Sequence, residues 1–519
     1  MTDTADVIIV GAGHNGLTCA AYLARAGMQV ICLESAPQPG GLSAKRSFGE
    51  HYRLPGLAHW SYPLSPTLCR ELELERFGYV PGKPADTVVL DRSAGPLTLG
   101  GNSVSGESLS RQDAAEYPRF RDQYLEFAKV LRPVLKNRPP RLKDSDSRDK
   151  RTLARLGWDL RFGLGRDKMG EFLRVAGMNI FDLLNDTFSD ERLKAAIAVD
   201  AVMGNGMGPR TPGSVLTWLT RLAAELNGGP VLYDGGTSDI VAPLTQSAQS
   251  AGATIRCDAR VERIVVENGR AGGVVLENGE RLTAACIVSS ADPRTTFLSL
   301  VGAPRLDAMF ARRVAQIRGA GVVAKLHLGL DGLPAFDGVE ASQPDRRFLI
   351  GPSMRYVERA FNPVKYGEYS DEPVLEITLP SVNNPDLAPA GQHVMSVNVA
   401  YIPYKLKAGW ESGKTALFDT LIALLERYAP GLRSQIVAHE CLTPADIEAG
   451  YLAGEGHWHH GELALHQSLM LRPVHGAAQY DTPVENLYLC GAGCHPGGDL
   501  TGLPGQNAAW RILETDVSR

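Results

Sequence analysis

Three histidines fall within four positions near the C-terminal end of the chain, in the segment Gly456-His457-Trp458-His459-His460-Gly461-Glu462. An imidazole gains and loses a proton near neutral pH, so the segment is typical of a proton acceptor, and His460 or His457 is favoured for that role. Structural histidines with satisfied hydrogen bonds are the alternative. No metal site is expected, because adjacent side chains on a strand point to opposite faces and no acid or cysteine partner completes a ligand set.

A second group of residues is suited to holding phosphates. The apolar run Val7-Ile8-Ile9-Val10 predicts a buried strand, and Gly11-x-Gly13-x-x-Gly16 follows it directly. Gly11 permits a tight turn, Gly13 lets the backbone approach a pyrophosphate, and Gly16 lets the next helix pack closely on the strand. Glu34, at the end of the second predicted strand, is placed to bond a ribose. The alternative is a glycine-rich turn that binds no nucleotide, but the full context of strand, turn, helix and acid predicts a dinucleotide site.

Two further glycine segments enlarge the expected site. Gly40-Gly41 follows the acid closely, and near the C-terminus the strand Asn486–Cys490 runs into the loop Gly491–Gly502, with a helix from about Leu503. The N-terminus of that helix would suit the edge of an isoalloxazine ring on which negative charge gathers during reduction. These additions favour FAD over NAD.

The motifs at both ends resemble one protein family. The opening GAGHNGL, the PGG after Glu34 and the terminal LYLCGAGCHPGGDLTGLPGQNAA resemble the phytoene desaturase-like FAD-dependent oxidoreductases, and within them the group called pyridine nucleotide-disulfide oxidoreductase domain-containing protein 2. The matches cover about 60 and about 40 residues at the two ends. The resemblance implies non-covalent FAD and places Glu462 in a functional neighbourhood. The residues expected at the cofactor are Gly11, Gly13, Gly16, Glu34, Gly40, Gly41, Leu42, Gly56, Leu57, Ala58, Val261, Gly491, Gly493, Asp499, Leu500, Thr501 and Gly502.

The cysteines give no sign of dithiol chemistry. The chain has eight cysteines and no Cys-x-x-Cys pair, so the sequence does not indicate a redox dithiol. Scattered cysteines of this kind are typical of a protein in a reducing compartment. A covalent bond between Cys494 and the flavin is a less favoured alternative to two small core cysteines. His495 is expected either to contact flavin or substrate or to hold the loop backbone, and His59 to pack or, alternatively, to face the pocket.

The elements that must position these residues predict an α/β fold. We expect a two-site Rossmann-type FAD domain, like those of glutathione reductase and amine oxidases, with a mixed-sheet substrate domain and a helical cap. The expected limits are 1–110, 230–300 and 475–519 for a discontinuous FAD domain, 111–229 for the cap and 301–474 for the substrate domain. Strands are predicted at Thr254–Arg256, Arg260–Val266, Ala271–Leu276, Val322–Leu328, Val374–Leu379 and His393–Ala400.

Bulk properties limit the partners and the location. The chain has 519 residues and a net charge of −5, so nucleic acid is not expected as a partner. No signal peptide or membrane-spanning run is evident, which predicts a cytoplasmic protein, with a homodimer as one option. The segment 136–168 carries eleven basic and five acidic residues with apolar side chains between them. It is interpreted as a solvated lid, with peripheral contact to an anionic membrane as the alternative.

The function predicted from these features is the oxidation or desaturation of a mostly apolar, small organic substrate by hydride transfer to flavin N5. Oxygen or a quinone would reoxidise the flavin. A flavin amine oxidase is one alternative, although an aromatic content of 7% argues weakly against a rich aromatic cage. A flavin-bound interaction or scaffold protein with little turnover is the other.

Overall fold

The computed structural model describes residues 4–54, 56–58, 60–141, 143, 145–234, 236–340 and 344–516. Its strands are β1 (Thr4–Val10), β2 (Val30–Leu33), β3 (Arg46–Phe48), β4 (Tyr52–Leu54), β5 (Lys83–Pro84), β6 (Thr87–Leu90), β7 (Leu97–Gly100), β8 (Ser103–Ser105), β9 (Val231–Leu232), β10 (Thr254–Arg256), β11 (Val261–Glu267), β12 (Arg270–Leu276), β13 (Arg281–Ser289), β14 (Val323–Leu330), β15 (Arg347–Ile350), β16 (Val374–Thr378), β17 (His393–Ala400), β18 (Ile436–Leu442) and β19 (Leu487–Leu489).

The α-helices are α1 (His14–Arg25), α2 (Pro66–Glu71), α3 (Arg111–Lys136), α4 (Ser147–Trp158), α5 (Gly165–Ala176), α6 (Ile180–Asn185), α7 (Glu191–Val202), α8 (Ser214–Glu225), α9 (Val241–Ser250), α10 (Ala308–Ala315), α11 (Met354–Phe361), α12 (Trp410–Tyr428), α13 (Leu432–Gln435), α14 (Pro444–Tyr451) and α15 (Leu503–Asp516). Two π-helical stretches accompany them at Asp159–Gly163 and Thr295–Gly302.

The first sheet brings three strand ends to one edge. β1 lies between β2 and β13 and is parallel to both, β10 lies outside β2, and β19 pairs with β13. Val10 lies opposite Leu33 and Ser289, so Gly11, Glu34 and the residue after Ser289 emerge side by side. Ligands of open parallel sheets bind beyond the carboxyl ends of the strands, which places a site at this edge. The α/β fold class is confirmed.

The second sheet has the order β18-β14-β17-β16-β15-β6-β7-β8, with only the β15–β6 pair parallel. One face packs on α12 through Leu326, Leu328, Val397 and Val399, which are fully buried. Strand side chains alternate between faces, so the opposite face turns toward the first sheet and the helical layer. Residues 87–105 belong to this sheet, although the sequence assigned them to the cofactor domain.

Helices α3 to α8 form a layer with its own core. Phe120, Tyr124 and Trp218 pack ring against ring, with the Phe120 and Trp218 centroids 5.5 Å apart. The same core includes Leu349 of β15 and Leu97 of β7, so the helical layer is packed onto the second sheet. The exact domain limits stay a prediction, but these contacts put the helices where a cap is expected.

Candidate functional site

A cavity with a volume of about 620 Å³ lies where the two sheets and the helical layer meet. The first sheet contributes Val10 and Leu33, the second sheet contributes Glu376 and Asn398, and the cap contributes Met203 and Arg221. One end is therefore built from phosphate-binding motifs and the other from the sheet and cap.

Glu34 is held as the sequence predicts for a ribose ligand. Its carboxylate accepts hydrogen bonds from the N–H of Ala12 at 2.9 Å, the N–H of Ala36 at 3.0 Å and the hydroxyl of Ser35 at 3.1 Å. These bonds orient a buried carboxylate that also lines the cavity. A carboxylate has about four acceptor positions, so one remains for a hydroxyl group.

The three glycines of the motif Gly11-x-Gly13-x-x-Gly16 have different surroundings. A Cβ atom on Gly16 would lie 2.0 Å from the carbonyl oxygen of Gly11, so this position demands glycine for helix–strand packing. A Cβ on Gly13 would meet no described atom within 4 Å, and its φ of −68° is open to any residue. Gly13 lines the cavity beside Gly41. A cofactor pyrophosphate lying against the backbone would account for a glycine there.

Helix α1 begins at His14. Gly13, His14 and Asn15 all line the cavity. The N–H groups of a first helical turn have no partner within the helix, and the helix dipole adds positive potential. This end of the cavity is therefore suited to a pyrophosphate.

In the C-terminal loop, some glycines shape the backbone and other residues reach the cavity. Cβ atoms on Gly491 and Gly493 would lie 2.4 Å from the Ser290 carbonyl oxygen and 2.5 Å from the Pro293 ring. Gly502 has a φ of +69°, which favours glycine. Asp499 and Leu500 line the cavity.

Most of the expected cofactor residues come together around the cavity. Those lining it are Gly11, Gly13, Glu34, Gly40, Gly41, Leu42, Leu57, Ala58, Val261, Asp499 and Leu500. Those that do not are Gly16, Gly56, Gly491, Gly493, Thr501 and Gly502. Gly56 packs instead against Ser43 and Thr237, where a Cβ would lie 2.6 Å from Thr237 Oγ1.

The histidine segment is divided between the cavity and its support. His460 and His459 line the cavity, whereas His457 and Glu462 do not. His457 Nδ1 accepts a hydrogen bond from the backbone N–H of His459 at 3.2 Å. A Cβ on Gly206 would lie 2.5 Å from Glu462 Oε1, so this carboxylate faces the cap loop. The roles predicted for His457 and Glu462 would have to be indirect.

Burial keeps the imidazoles neutral. It lowers the pKa of His457 to about 3 and that of His14 to about 4. The pKa of His460 is also lowered by burial, with the Asp292 carboxylate opposing the shift. Burial raises the pKa of Glu462 and of Asp499. At pH 7 His460 is thus an unprotonated acceptor in a largely apolar setting.

Arg472 ties the histidine segment to the C-terminal loop. Its buried guanidinium donates to six backbone carbonyls, including His459 at 2.7 Å, Glu462 at 2.9 Å and Ala492 at 2.9 Å. Burial lowers its pKa to about 10, which still leaves it charged at neutral pH. A planar five-donor group suits this task, and we regard Arg472 as a positioning residue.

Several cavity residues escaped the sequence interpretation: Trp60, Met203, Arg221, Glu376 and Asn398. For Glu376 and Asn398 the sequence does contain a pattern that indicates a shared polar face. Lys325 and His327 in β14, Glu376 and Thr378 in β16, and Ser396 and Asn398 in β17 are polar residues two positions apart in otherwise apolar strands. That spacing puts all six on one face of a sheet. Trp60, Met203 and Arg221 carried no comparable pattern.

The structure also bears on the expectations for Cys494 and His495. Cys494 is buried away from the cavity lining, which leaves the covalent alternative without support. His495 Nε2 pairs with the Val134 carbonyl at 2.9 Å and holds the loop against α3. His59 lies outside the described residues.

Comparison with known proteins agrees with this geometry. Residues 6–497 match the family model DAO, FAD dependent oxidoreductase. The mouse pyridine nucleotide-disulfide oxidoreductase domain-containing protein 2 is 32% identical, with 97% of this chain and 92% of that protein covered. A lycopene-forming phytoene desaturase of Pseudescherichia vulneris is 27% identical over 96% of each chain.

The fold is also similar to a solved structure. A putrescine oxidase bound to putrescine superposes with a TM-score of 0.62, 16% identity and complete coverage of both chains. The glycine cradle open at Gly13, the oriented Glu34 carboxylate and the free helix N-terminus fit FAD, whose ribose and pyrophosphate need these groups. The chain belongs to the FAD-dependent oxidoreductase family and is an enzyme that uses FAD.

Proposed function

We propose that this enzyme oxidises or desaturates a mostly apolar organic substrate, binding FAD without a covalent bond. The observation that carries the proposal is a single cavity. One part is lined by Gly11, Gly13, Gly40 and Gly41, and it continues into a part lined by the second sheet and the cap. The relative named phytoene desaturase acts, by its name, on phytoene. Bound FAD would supply a two-electron acceptor for hydride from a substrate C–H bond at N5.

The residues of this chain would provide binding, orientation and proton acceptance. Leu57, Ala58 and Met203 give the cavity an apolar surface. Trp60 also lines the cavity, and its indole N–H donates a hydrogen bond to Glu376. The neutral imidazole of His460 would accept a proton from a substrate O–H or N–H where the oxidation requires one. Oxygen or a quinone would reoxidise the flavin, and a homodimer stays a prediction.

Anaerobic mixing tests the proposal directly. The FAD-loaded protein should lose its visible flavin absorbance with at least one member of a panel of terpenes, polyenes and long-chain alcohols, and recover it with air or a soluble quinone. Heat-denatured protein should release free FAD. No bleaching by any compound, while dithionite still reduces the flavin, would favour the scaffold alternative.

His460 is expected to matter more than its polar neighbours. Its φ is +53°, a conformation that asparagine tolerates, so His460→Asn preserves the backbone. Removing a positioned proton acceptor should slow flavin reduction by about 10²-fold or more for a substrate that loses an O–H or N–H proton. Stopped-flow absorbance measures this rate. His466→Asn, at an exposed histidine away from the cavity lining, is the matched control. Unchanged reduction in His460→Asn with FAD retained would dismiss the role.

The amine oxidase alternative has less support from the site. The Arg347 guanidinium lies 4.5 Å from the centroid of the Trp60 ring, so a cation already occupies one face of this aromatic wall. A substrate ammonium would compete with that cation instead of finding a free aromatic cage. The structural similarity to putrescine oxidase concerns the fold.

We also propose contact with an anionic membrane through the segment 136–168. Trp158 and Phe162 are 64% and 61% exposed with their rings 4.4 Å apart, whereas Arg138 is buried and paired with Asp146. Among the described residues, no helix is long and apolar enough to cross a bilayer. An exposed aromatic pair among basic side chains is suited to the headgroup region of a membrane.

Vesicle sedimentation checks this contact. The holoprotein should co-sediment with vesicles rich in phosphatidylserine and lose most of that binding in the double variant Trp158→Ser/Phe162→Ser. Exposed side chains contribute little to folding, so FAD content should be unchanged. The variant Val80→Ser removes an apolar side chain that is 69% exposed elsewhere and serves as control. Failure of the wild type to bind would leave the lid interpretation.

A further inference from the structure

The second sheet turns a polar face toward the cavity. On β14, β16 and β17 the side chains facing α12 are apolar, but the alternate positions hold Lys325, Glu376 and Asn398. All three are at most 4% exposed. Burying polar groups is costly unless they are bonded, and the opposite face shows that these strands readily take apolar residues. A purely hydrocarbon ligand would bind better if this face of the sheet carried apolar side chains.

The three side chains form a continuous row. The strand register sets Asn398 opposite both Lys325 and Glu376, so the amide stands between an amine and a carboxyl group. Lys325 Nζ donates to Asn398 Oδ1 at 2.8 Å. Glu376 and Asn398 line the cavity, and Lys325 lies behind them. With its oxygen bonded to Lys325, the Asn398 amide keeps its NH₂ as a donor, for which the described part of the chain offers no partner.

The charges around this row are balanced internally. Arg347 lies 3.3 Å from Glu376 and 2.8 Å from Asp200, so one guanidinium serves two carboxylates. Lys325 adds a second basic group on the other side of Asn398. A substrate carboxylate would face Glu376, and a substrate ammonium would find the Glu376 carboxylate already bonded to Arg347 and Trp60. Either ion would be buried without a dedicated partner, which is unfavourable.

We propose that the substrate is an amphipathic alcohol whose hydroxyl group bonds to both Glu376 and Asn398. A hydroxyl donates one hydrogen bond and accepts others at a single oxygen, so it can donate to the Glu376 carboxylate and accept from the Asn398 amide. The apolar remainder would lie along Leu57, Ala58 and Met203. This inference rests on the proposed function and narrows its substrate class from apolar compounds to apolar alcohols.

Ligand binding to the oxidised holoprotein tests the inference without turnover. Titrations with 1-octanol, n-octane, octanoate and octylamine would be followed by the visible flavin spectrum and by calorimetry. We expect 1-octanol to bind at least about tenfold more tightly than each of the others, as one well-placed hydrogen-bond pair allows. Asn398→Leu should remove that preference and leave octane binding unchanged.

Controls keep the outcomes distinct. Ser396→Ala lies on the same strand face but away from the cavity lining, so it should keep the preference. Asn398→Ser, too short to reach the ligand, replaces the leucine variant if that protein loses FAD. Equal binding of octane and 1-octanol, tighter binding of octylamine or octanoate, or a preference that survives both Asn398 variants would overturn the inference. A flavin that no substrate reduces would contradict the proposed function and leave this binding result standing.

Discussion

Replacing Gly13 by alanine should remove FAD from the protein and leave the fold intact. The added methyl group meets no described protein atom within 4 Å, and the backbone at this position is extended, so the folded chain accommodates it. The methyl group would instead point into the space where the cofactor pyrophosphate is expected. We expect the affinity for FAD to fall at least about 100-fold, equivalent to about 2.7 kcal/mol. Titration of the apoprotein with FAD, followed by flavin fluorescence, measures this loss.

Two other glycine variants separate cofactor contact from packing. Gly16→Ala should reduce both FAD binding and folding stability, because its Cβ would lie 2.0 Å from the Gly11 carbonyl oxygen. Gly170→Ala, in helix α5 with open space around it, should leave FAD binding unchanged and should not lower folding stability, because alanine favours a helix more than glycine does. Normal FAD affinity in a folded Gly13→Ala variant would mean that the pyrophosphate lies elsewhere.

The fold could be predicted wherever hydrophobic periodicity is strong. The strands Thr254–Arg256 and His393–Ala400 have the predicted bounds. The apolar stripe Leu17, Ala20, Leu23 and Ala24 predicts a helix from Leu17, but α1 begins at His14 because its polar first-turn residues lie outside that stripe. The strands of residues 87–105 were not predicted, since these short runs belong to the second sheet through the pairing of β6 with β15, far along the chain.

The candidate site was predictable only on its cofactor side. Gly13, Glu34 and Gly41 lie in local motifs whose spacing carries the geometry, so sequence alone placed them. Arg221 and Asn398 reach the same cavity from separate elements, and only tertiary packing brings them together. The histidine segment reaches the cavity, but the sequence could not tell that His460 lines it and His457 does not. That distinction depends on a loop fixed by the carbonyl bonds of Arg472.

Acid should destabilise this protein steeply, because its buried histidines are held neutral. Burial lowers the pKa of His14 and His495 to about 4 and that of His457 to about 3, from 6.5 in the unfolded chain. Below pH 6.5 the unfolded chain therefore binds more protons than the folded one. The stability present above pH 6.5 is lost as the pH falls toward 4, at about 1.4 kcal/mol per pH unit for each histidine. The raised pKa values of Glu462 and Asp499 act in the opposite direction.

Urea unfolding of the holoprotein at a fixed excess of FAD, followed by circular dichroism between pH 7.5 and 4.5, measures this dependence. We expect the free energy of unfolding to fall by several kcal/mol between pH 6.5 and 5, a large part of the roughly 5–15 kcal/mol typical of folded domains. His495→Gln keeps a donor for the Val134 carbonyl and should reduce the slope near pH 5 by about 1.4 kcal/mol per pH unit. A free energy of unfolding that stays constant from pH 7 to 5 would show that these imidazoles are solvated or paired in solution, and would remove the basis for treating His460 as a neutral acceptor.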